Sequence, residues 1–414
     1  MNFAILGSRG FPSTYGGYET LVRNLAPYLV HRGHSVTVYC RVPSLGRRRW
    51  VTEDVRCIAT AGFDTKSLST LSFGLTASVD AAVRRYDAVL VLNVANGFFV
   101  PLLRTRGVPC AVNTDGLEWE RGKWSTLGKS TFRSGARLAA RQATTVVSDS
   151  QAMQKIWQRL FGCDSVFIPY GSHIMRNPGA GRLRDANLPT SGYLLAVARL
   201  APENNIGLTL DALDWLGPDA PPAIFVGSAN YESPIEDRLR RMQAEGRIRW
   251  LGHVEDQELL NELRANCSVY VHGHSVGGTN PSLLEALGAG APVLALDTVF
   301  NREVLAADDQ LFDGHPASLA ERIRALAVDG ERQRELTERG VRIIAERYSW
   351  DMACESYERL LTQLATGSGS AGAASLEQAS WDPRDHRVVG ERGGHDGAGR
   401  HDAVAPEDDP IKDH

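Results

Sequence analysis

The sequence predicts an α/β protein built from two doubly wound, Rossmann-like domains. Three observations carry that prediction. Short apolar runs alternate with helical patterns from residue 3 to residue 168. A polar segment rich in Gly and Pro, RNPGAGRLRDANLPTS at 176–191, interrupts the alternation. The alternation then restarts at Tyr193 and continues to Leu296. Strands alternating with helices in this way favour parallel sheets covered by helices on both faces.

In the first domain, 1–175, the apolar runs place strands at 3–6, 35–40, 55–58, 88–92, 108–112, 144–147 and 166–168. Between the first two, Leu21, Leu25, Tyr28 and Leu29 share one helical face, and Gly33 closes the helix. Pro27 lies inside it, removes one backbone bond and predicts a kink. Segment 176–191 reads as a linker. The second domain, 192–348, has strands expected at 193–198, 223–226, 247–250, 269–271 and 293–296, then helices at 316–328 and 331–346. A last helix, 349–365, starts at Ser349 as N-cap. It is expected to cross back to the first domain. The tail, 366–414, is Gly, Ser, Ala, Asp and His without period, and is expected to be disordered.

Composition narrows the function classes. Hydrophobic residues at 43% and charged residues at 23% describe a soluble globular chain. The net charge of −4 is concentrated in the tail, which holds five basic and ten acidic residues. The remainder is close to neutral, which argues against general nucleic-acid binding. Six scattered cysteines without metal-ligand spacing read as reduced thiols. No signal peptide and no run long enough to span a bilayer are visible, so a cytoplasmic location is expected.

One stretch is the most informative, 274–290 (HSVGGTNPSLLEALGAG). An apolar run enters it like a strand, Gly277 and Gly278 bare backbone N–H groups, and Pro281 opens a helix. A glycine loop at a helix N-terminus suits an anion or a polar sugar. Glu285 beside it accepts hydrogen bonds from hydroxyls. The combination points to a sugar nucleotide.

Four motifs give this a family. Residues 7–20 (GSRGFPSTYGGYET) resemble the N-terminal loop of glycosyltransferase family 4, in its bacterial rhamnosyltransferase-like branch. Residues 198–206 (ARLAPENNI) resemble the phosphate-binding segment of the family's second domain. The stretch around Glu285 resembles its donor-sugar loop, and 113–119 (NTDGLEW) resembles the same branch. The resemblance spans 1–365. It implies the GT-B architecture, in which two Rossmann-like domains face each other across a cleft. The chain departs from the wider family in two places. Gly277 stands where the first of two glutamates separated by seven residues is usual, with Glu285 as the second. Asn204 stands where a lysine commonly follows Arg-x-x-x-Glu.

Glycosyl transfer from a nucleotide sugar leaves negative charge on a departing diphosphate, which must be stabilised where it develops. The chain has no Asp-x-Asp motif to hold a metal, so no metal cofactor is expected. Arg199, at a strand's end, is expected to face the diphosphate with its guanidinium fork. Asp115, also at a strand's carboxyl end, is assigned to a sugar or acceptor hydroxyl. Gly16, Gly17, Gly277, Gly278, Thr279 and Asn280 are expected around the donor, with Asn204 beside them and Glu285 on the ribose. Glu303, within 301–304 (NREV), resembles a segment near the donor and is equally placed to cap a helix. His272 and His274 share a face of an extended stretch, but no third ligand lies near in sequence, so packing is favoured over metal.

The resemblance implies a retaining, metal-independent transferase. Its donor would be a hexose or deoxyhexose nucleotide, with rhamnose from dTDP-rhamnose as candidate. Its acceptor would be a glycan or lipid-linked sugar in surface polysaccharide synthesis. The rivals are a sugar-nucleotide epimerase or hydrolase, and a non-catalytic nucleotide- or glycan-binding protein. Lys129, Arg133, Arg137 and Arg141 recur every four residues, with Arg121, Lys123, Trp119, Trp124 and Phe132 near them. That ridge suits an anionic membrane surface on the inner face, or equally a solvated helix face.

Overall fold

The computed structural model describes residues 1–12, 16–41, 49–63, 69–120, 124–229 and 233–367. Among these, the strands form two sheets. The first contains β1 (Asn2–Leu6), β2 (Ser35–Arg41), β3 (Arg49–Thr52), β4 (Val55–Thr60), β5 (Ala88–Leu92), β6 (Cys110–Asn113), β7 (Thr145–Ser148) and β8 (Val166–Phe167). Their order is β3-β4-β2-β1-β5-β6-β7-β8. The second sheet contains β9 (Leu194–Val197), β10 (Ala223–Val226), β11 (Arg249–Trp250), β12 (Val269–His272), β13 (Val293–Leu296) and β14 (Leu311–Phe312), ordered β11-β10-β9-β12-β13-β14. Each observed pairing is parallel except β3–β4. The central strands read as unbroken apolar runs because helices cover both faces, and every residue of β5 is buried.

The helices of the first half are α1 (Gly17–His31), α2 (Ser69–Arg84), α3 (Val100–Thr105), α4 (Thr126–Gln142) and α5 (Gln151–Phe161). Those that follow are α6 (Gly181–Asp185), α7 (Ile206–Leu216), α8 (Pro234–Ala244), α9 (Gln257–Asn266), α10 (Pro281–Gly288), α11 (Val299–Leu305), α12 (Pro316–Val328), α13 (Gly330–Arg347) and α14 (Trp350–Thr366). α1 runs its full length with Pro27 inside it.

Two expectations need correction. Segment 176–191 is not a bare linker, because it contains α6. Leu183 is fully buried, and its N–H donates to Glu262 Oε2 at 3.0 Å, which fastens α6 to α9. The first sheet also gains an antiparallel edge strand, β3, whose four residues RWVT are too short a run to read as a strand from sequence.

Strand order fixes where a site can form. In each sheet the chain reverses direction of growth beside its first strand, between β1 and β5 and between β9 and β12. Crevices at the carboxyl ends of such strands are where α/β proteins bind ligands. α14 packs on α1 and β5 of the first sheet. Glu358 of α14 accepts from Tyr28 Oη at 3.1 Å and pairs with Arg32 and His34. The chain therefore passes twice between the sheets, and the two passages touch. Ser172 and Ser349 form a parallel bridge, and the Ser172 N–H donates to the Tyr348 carbonyl at 2.7 Å. Residues 368–414, where the tail was expected to be disordered, lie outside the described residues.

Candidate active site

The second domain contributes two loops at its switch point, after β9 and after β12. Arg199 follows β9 and is exposed. Its carbonyl accepts from Asn204 Nδ2 at 2.7 Å, and Asn204 Oδ1 lies 2.6 Å from His274 Nδ1. Asn205 Nδ2 donates to the Gly273 carbonyl at 2.8 Å. Ser275 donates to the Glu203 carbonyl through both its N–H and its hydroxyl. These bonds join the arginine loop and the glycine loop into one piece. Asn204, expected at the donor, spends both ends of its amide on this joint. It positions Arg199.

Gly277 has φ +114°, a conformation that strongly favours glycine. Asn280 caps α10 by accepting from the Ser282 N–H at 2.9 Å. One turn further on, Glu285 pairs with Arg264 at 2.5 Å. Arg264, on α9, has only 4% of its side chain exposed, so a buried guanidinium orients the carboxylate. Arg264 was not anticipated; an arginine on the apolar face of α9 was its only signal in the sequence. Beneath the loop, burial lowers the pKa of His272 to about 4, and its Nε2 has no hydrogen-bond partner.

The first domain brings the ends of β1, β6 and β7. Gly16, at φ +123°, precedes α1, and Thr20 donates to its carbonyl through both N–H and hydroxyl. Gly17 faces the second domain: a Cβ there would lie 3.4 Å from the Tyr170 hydroxyl and 3.6 Å from the Pro281 ring. Asp115 follows β6 with φ +51°. Its N–H donates to Asn113 Oδ1 at 2.9 Å, and its Oδ1 accepts from Tyr170 Oη at 3.1 Å. Asn113 Nδ2 also reaches Tyr357 Oη of α14 at 2.6 Å. Burial, and then the Asp115 charge, raise the pKa values of Tyr18 and Tyr170 well above the ordinary phenol value. These phenols remain neutral hydrogen-bond donors.

The two rims meet at glycines. A Cβ on Gly116 would come within 2.6 Å of Gly277 Cα. Gly278 lies on the Asp149 carboxylate, and Thr279 Oγ1 donates to the Asp149 carbonyl at 2.5 Å. Gly17, Gly277, Gly278 and Thr279 thus converge with Asp115 on one interdomain surface. Glu303 does something else. Its carboxylate crosses to the first domain and accepts from the N–H groups of Gln151 and Ala152 at 2.8 and 2.9 Å, at the start of α5. Of its two expected roles, the structure shows the helix cap. Asp149 was missed because neither its spacing nor its neighbours in sequence mark it.

The basic ridge lies on α4. Arg133, Arg137 and Arg141 are exposed and Lys129 is half-buried, while Phe132, Ala136 and Ala139 face the core. The aromatic part of that expectation is corrected. Trp119 and Phe132 are buried, and Trp124 Nε1 donates to Glu118 Oε2 at 3.0 Å. Arg121 and Lys123 lie outside the described residues. Among the described residues, no helix is long and apolar enough to cross a membrane.

Comparison with known proteins gives this geometry a family. The profile described as "Glycosyl transferase 4-like domain" matches residues 16–171, and "Glycosyl transferases group 1" matches 184–342. A phosphatidyl-myo-inositol mannosyltransferase of Mycobacterium leprae is 27% identical over 383 residues, covering 87% of this chain and 96% of its own length. The GtfA subunit of a UDP-N-acetylglucosamine–peptide N-acetylglucosaminyltransferase of Streptococcus pneumoniae is 27% identical over 119 residues, or 28% of this chain. That match spans only 23% of the GtfA subunit. In structure, a sucrose-phosphate synthase from Thermosynechococcus elongatus aligns at TM-score 0.75 and 18% identity, covering 88% of this chain and 99% of the other. Anabaena HepE in complex with UDP aligns at 0.67 and 18%, covering 88% and 100%. These structural likenesses carry the fold. Together with the two profiles, which span most of the chain, they identify it as a glycosyltransferase: it belongs to family 4, with the GT-B architecture.

Proposed function

We propose that the protein is a retaining, metal-independent glycosyltransferase that moves a hexose or deoxyhexose from a nucleotide sugar to a glycan or lipid-linked acceptor. One observation carries the reading. An exposed guanidinium, Arg199, stands at the switch point of the second domain, joined rigidly to a glycine loop at a helix N-terminus. The guanidinium and the loop amides offer charge and dipoles where a diphosphate departs. Glu285, held by Arg264, is suited to the ribose hydroxyls. Asp115 faces them from the first domain, suited to a sugar or acceptor hydroxyl. Retention follows if the acceptor attacks on the leaving-group face and the departing phosphate takes its proton. Independence from metal is part of the proposal: Arg199 and the loop amides would supply the charge stabilisation that an ion held by an Asp-x-Asp motif supplies elsewhere.

Rhamnose from dTDP-rhamnose is the first donor to test, on the strength of the rhamnosyltransferase-like motifs. Surface polysaccharide synthesis is the setting those motifs suggest. The name of the mycobacterial relative gives a phosphatidylinositol acceptor, which favours a lipid-borne acceptor here. Transfer should persist in EDTA, and Arg199→Met should lower kcat by about 10²–10³-fold. Enzyme that dies in chelator and revives with manganese, or that tolerates the methionine, would overturn the mechanism. Turnover of donor without acceptor would instead favour the epimerase or hydrolase, and tight nucleotide binding without any transfer a binding protein.

Peripheral attachment to the inner membrane face is supported by the exposed arginines of α4. Through α3, that helix neighbours α2, whose Leu75, Val79 and Val83 are exposed at four-residue spacing. Cationic and apolar groups together suit an anionic bilayer surface. Sedimentation with anionic vesicles should capture the protein, and Arg133→Glu/Arg137→Glu should release it. Equal binding to neutral vesicles would rule the attachment out.

A further inference from the structure

Asp149 follows β7 and has 1% of its surface exposed. Neither carboxylate oxygen makes a hydrogen bond of good geometry. An unpaired buried carboxylate is costly, and a fold that keeps one calls for a functional explanation. The group lies directly on the glycine loop, so a Cβ at Gly278 would overlap it. Thr279 Oγ1, bonded to the Asp149 carbonyl, fixes the loop's register against it. The loop itself, residues 273–284, contains no acidic side chain. Its carboxyl group is therefore supplied by the opposite domain.

The chemistry selects the kind of ligand. Burial first, then the charges of Asp115 and Glu303, push the Asp149 carboxyl well above the usual carboxylate range; the amides of Asp149 and Thr279 oppose this. In either protonation state a carboxyl accepts a hydrogen bond from a sugar hydroxyl. A diphosphate offers only acceptors and negative charge. This end of the loop therefore suits the sugar, and the diphosphate is left to Arg199.

We propose that Asp149 binds a hydroxyl of the transferred sugar when the glycine loop lifts away from it, and so helps set which sugar is accepted. The proposal rests on the donor site described above. Calorimetric titration of wild type, Asp149→Asn and Asp149→Ala with UDP, UDP-glucose, dTDP and dTDP-rhamnose tests it. Affinity for the two diphosphates should stay within about twofold. Affinity for a bound sugar nucleotide should fall about tenfold or more in Asp149→Ala, as for a lost buried hydrogen bond, and less in Asp149→Asn. Asp149→Asn keeps the shape and should melt at or above wild type, because its amide cannot ionise in the buried site. Equal loss for diphosphate and sugar nucleotide, or no loss for either, would overturn the proposal. Wild-type protein that binds none of the four would overturn it together with the donor site. Sugar-dependent loss without transfer to any acceptor would uphold Asp149 and sink the transferase reading alone.

Discussion

The two rims of the cleft differ in how they are tied together. On the second domain, the loops near the donor are tied to one another and to the helices behind them: Asn204 with His274, Asn205 with Gly273, Ser275 with Glu203, Glu285 with Arg264, while Glu203 Oε2, Arg264 Nε and His272 Nε2 have no hydrogen-bond partner. On the first, neither Asp149 carboxylate oxygen makes a hydrogen bond of good geometry, and Tyr18, Tyr170 and Tyr357 crowd around Asn113 and Asp115. Internal bonding preorganises a surface for a fixed ligand. The difference suits a split in which the second domain grips the nucleotide and the first reads the sugar or acceptor.

The buried titratable groups around the cleft should respond to acid in opposite senses, which gives the largest expected effect. Unfolded His272 takes a proton near pH 6.5, whereas in the fold it stays neutral down to about 4. Between those values the unfolded state binds more protons, so stability falls as pH falls, by about 3 kcal/mol at pH 4. Asp149 and Glu303 have raised pKa values, so acidification through those values stabilises the folded state. Melting curves of wild type and His272→Gln from pH 7 to 4 should diverge, with wild type losing more. Parallel curves would remove His272 from the account.

Gly116→Ala probes the meeting of the rims. Its Cβ forces Gly116 and Gly277 apart, and misplacement of about 1 Å costs on the order of 10²-fold in kcat/KM. UDP binding, which needs only the second domain on this reading, should be unchanged. Full activity in this variant would show that the two glycines are apart during turnover. The smallest effect is expected for Asn204→Ala, which loosens the arginine loop. Losing its bonds should cost about 1.4 kcal/mol, or tenfold in kcat/KM. No change would mean that Arg199 needs no support from the neighbouring loop.

The architecture was legible because parallel strands buried on both faces announce themselves as apolar runs, as at 88–92. What escaped were short elements held by tertiary contacts. β3 has Arg49 and Thr52 at its ends and owes its conformation to pairing with β4. α6 exists because Leu183 finds a hydrophobic seat against the second domain. The site was legible where one local motif carries it, as with the glycines at 277–278 and the exposed Arg199. It was not legible where the partner comes from the other domain. Nothing near Glu303 in sequence points to the amides of Gln151 and Ala152, and nothing near Asp149 points to Gly278. Trp119 and Trp124 misled for the same reason: their spacing suggests a surface, but the fold turns one into the core and bonds the other to Glu118.

The bridge between Ser172 and Ser349 constrains how the enzyme can move. Two struts fastened side by side behave as a door hinge, free to swing about one axis and stiff to twist or slide. Opening should therefore part the glycine rims along a single arc, and each return should bring Gly277 back to the same seat beside Gly116.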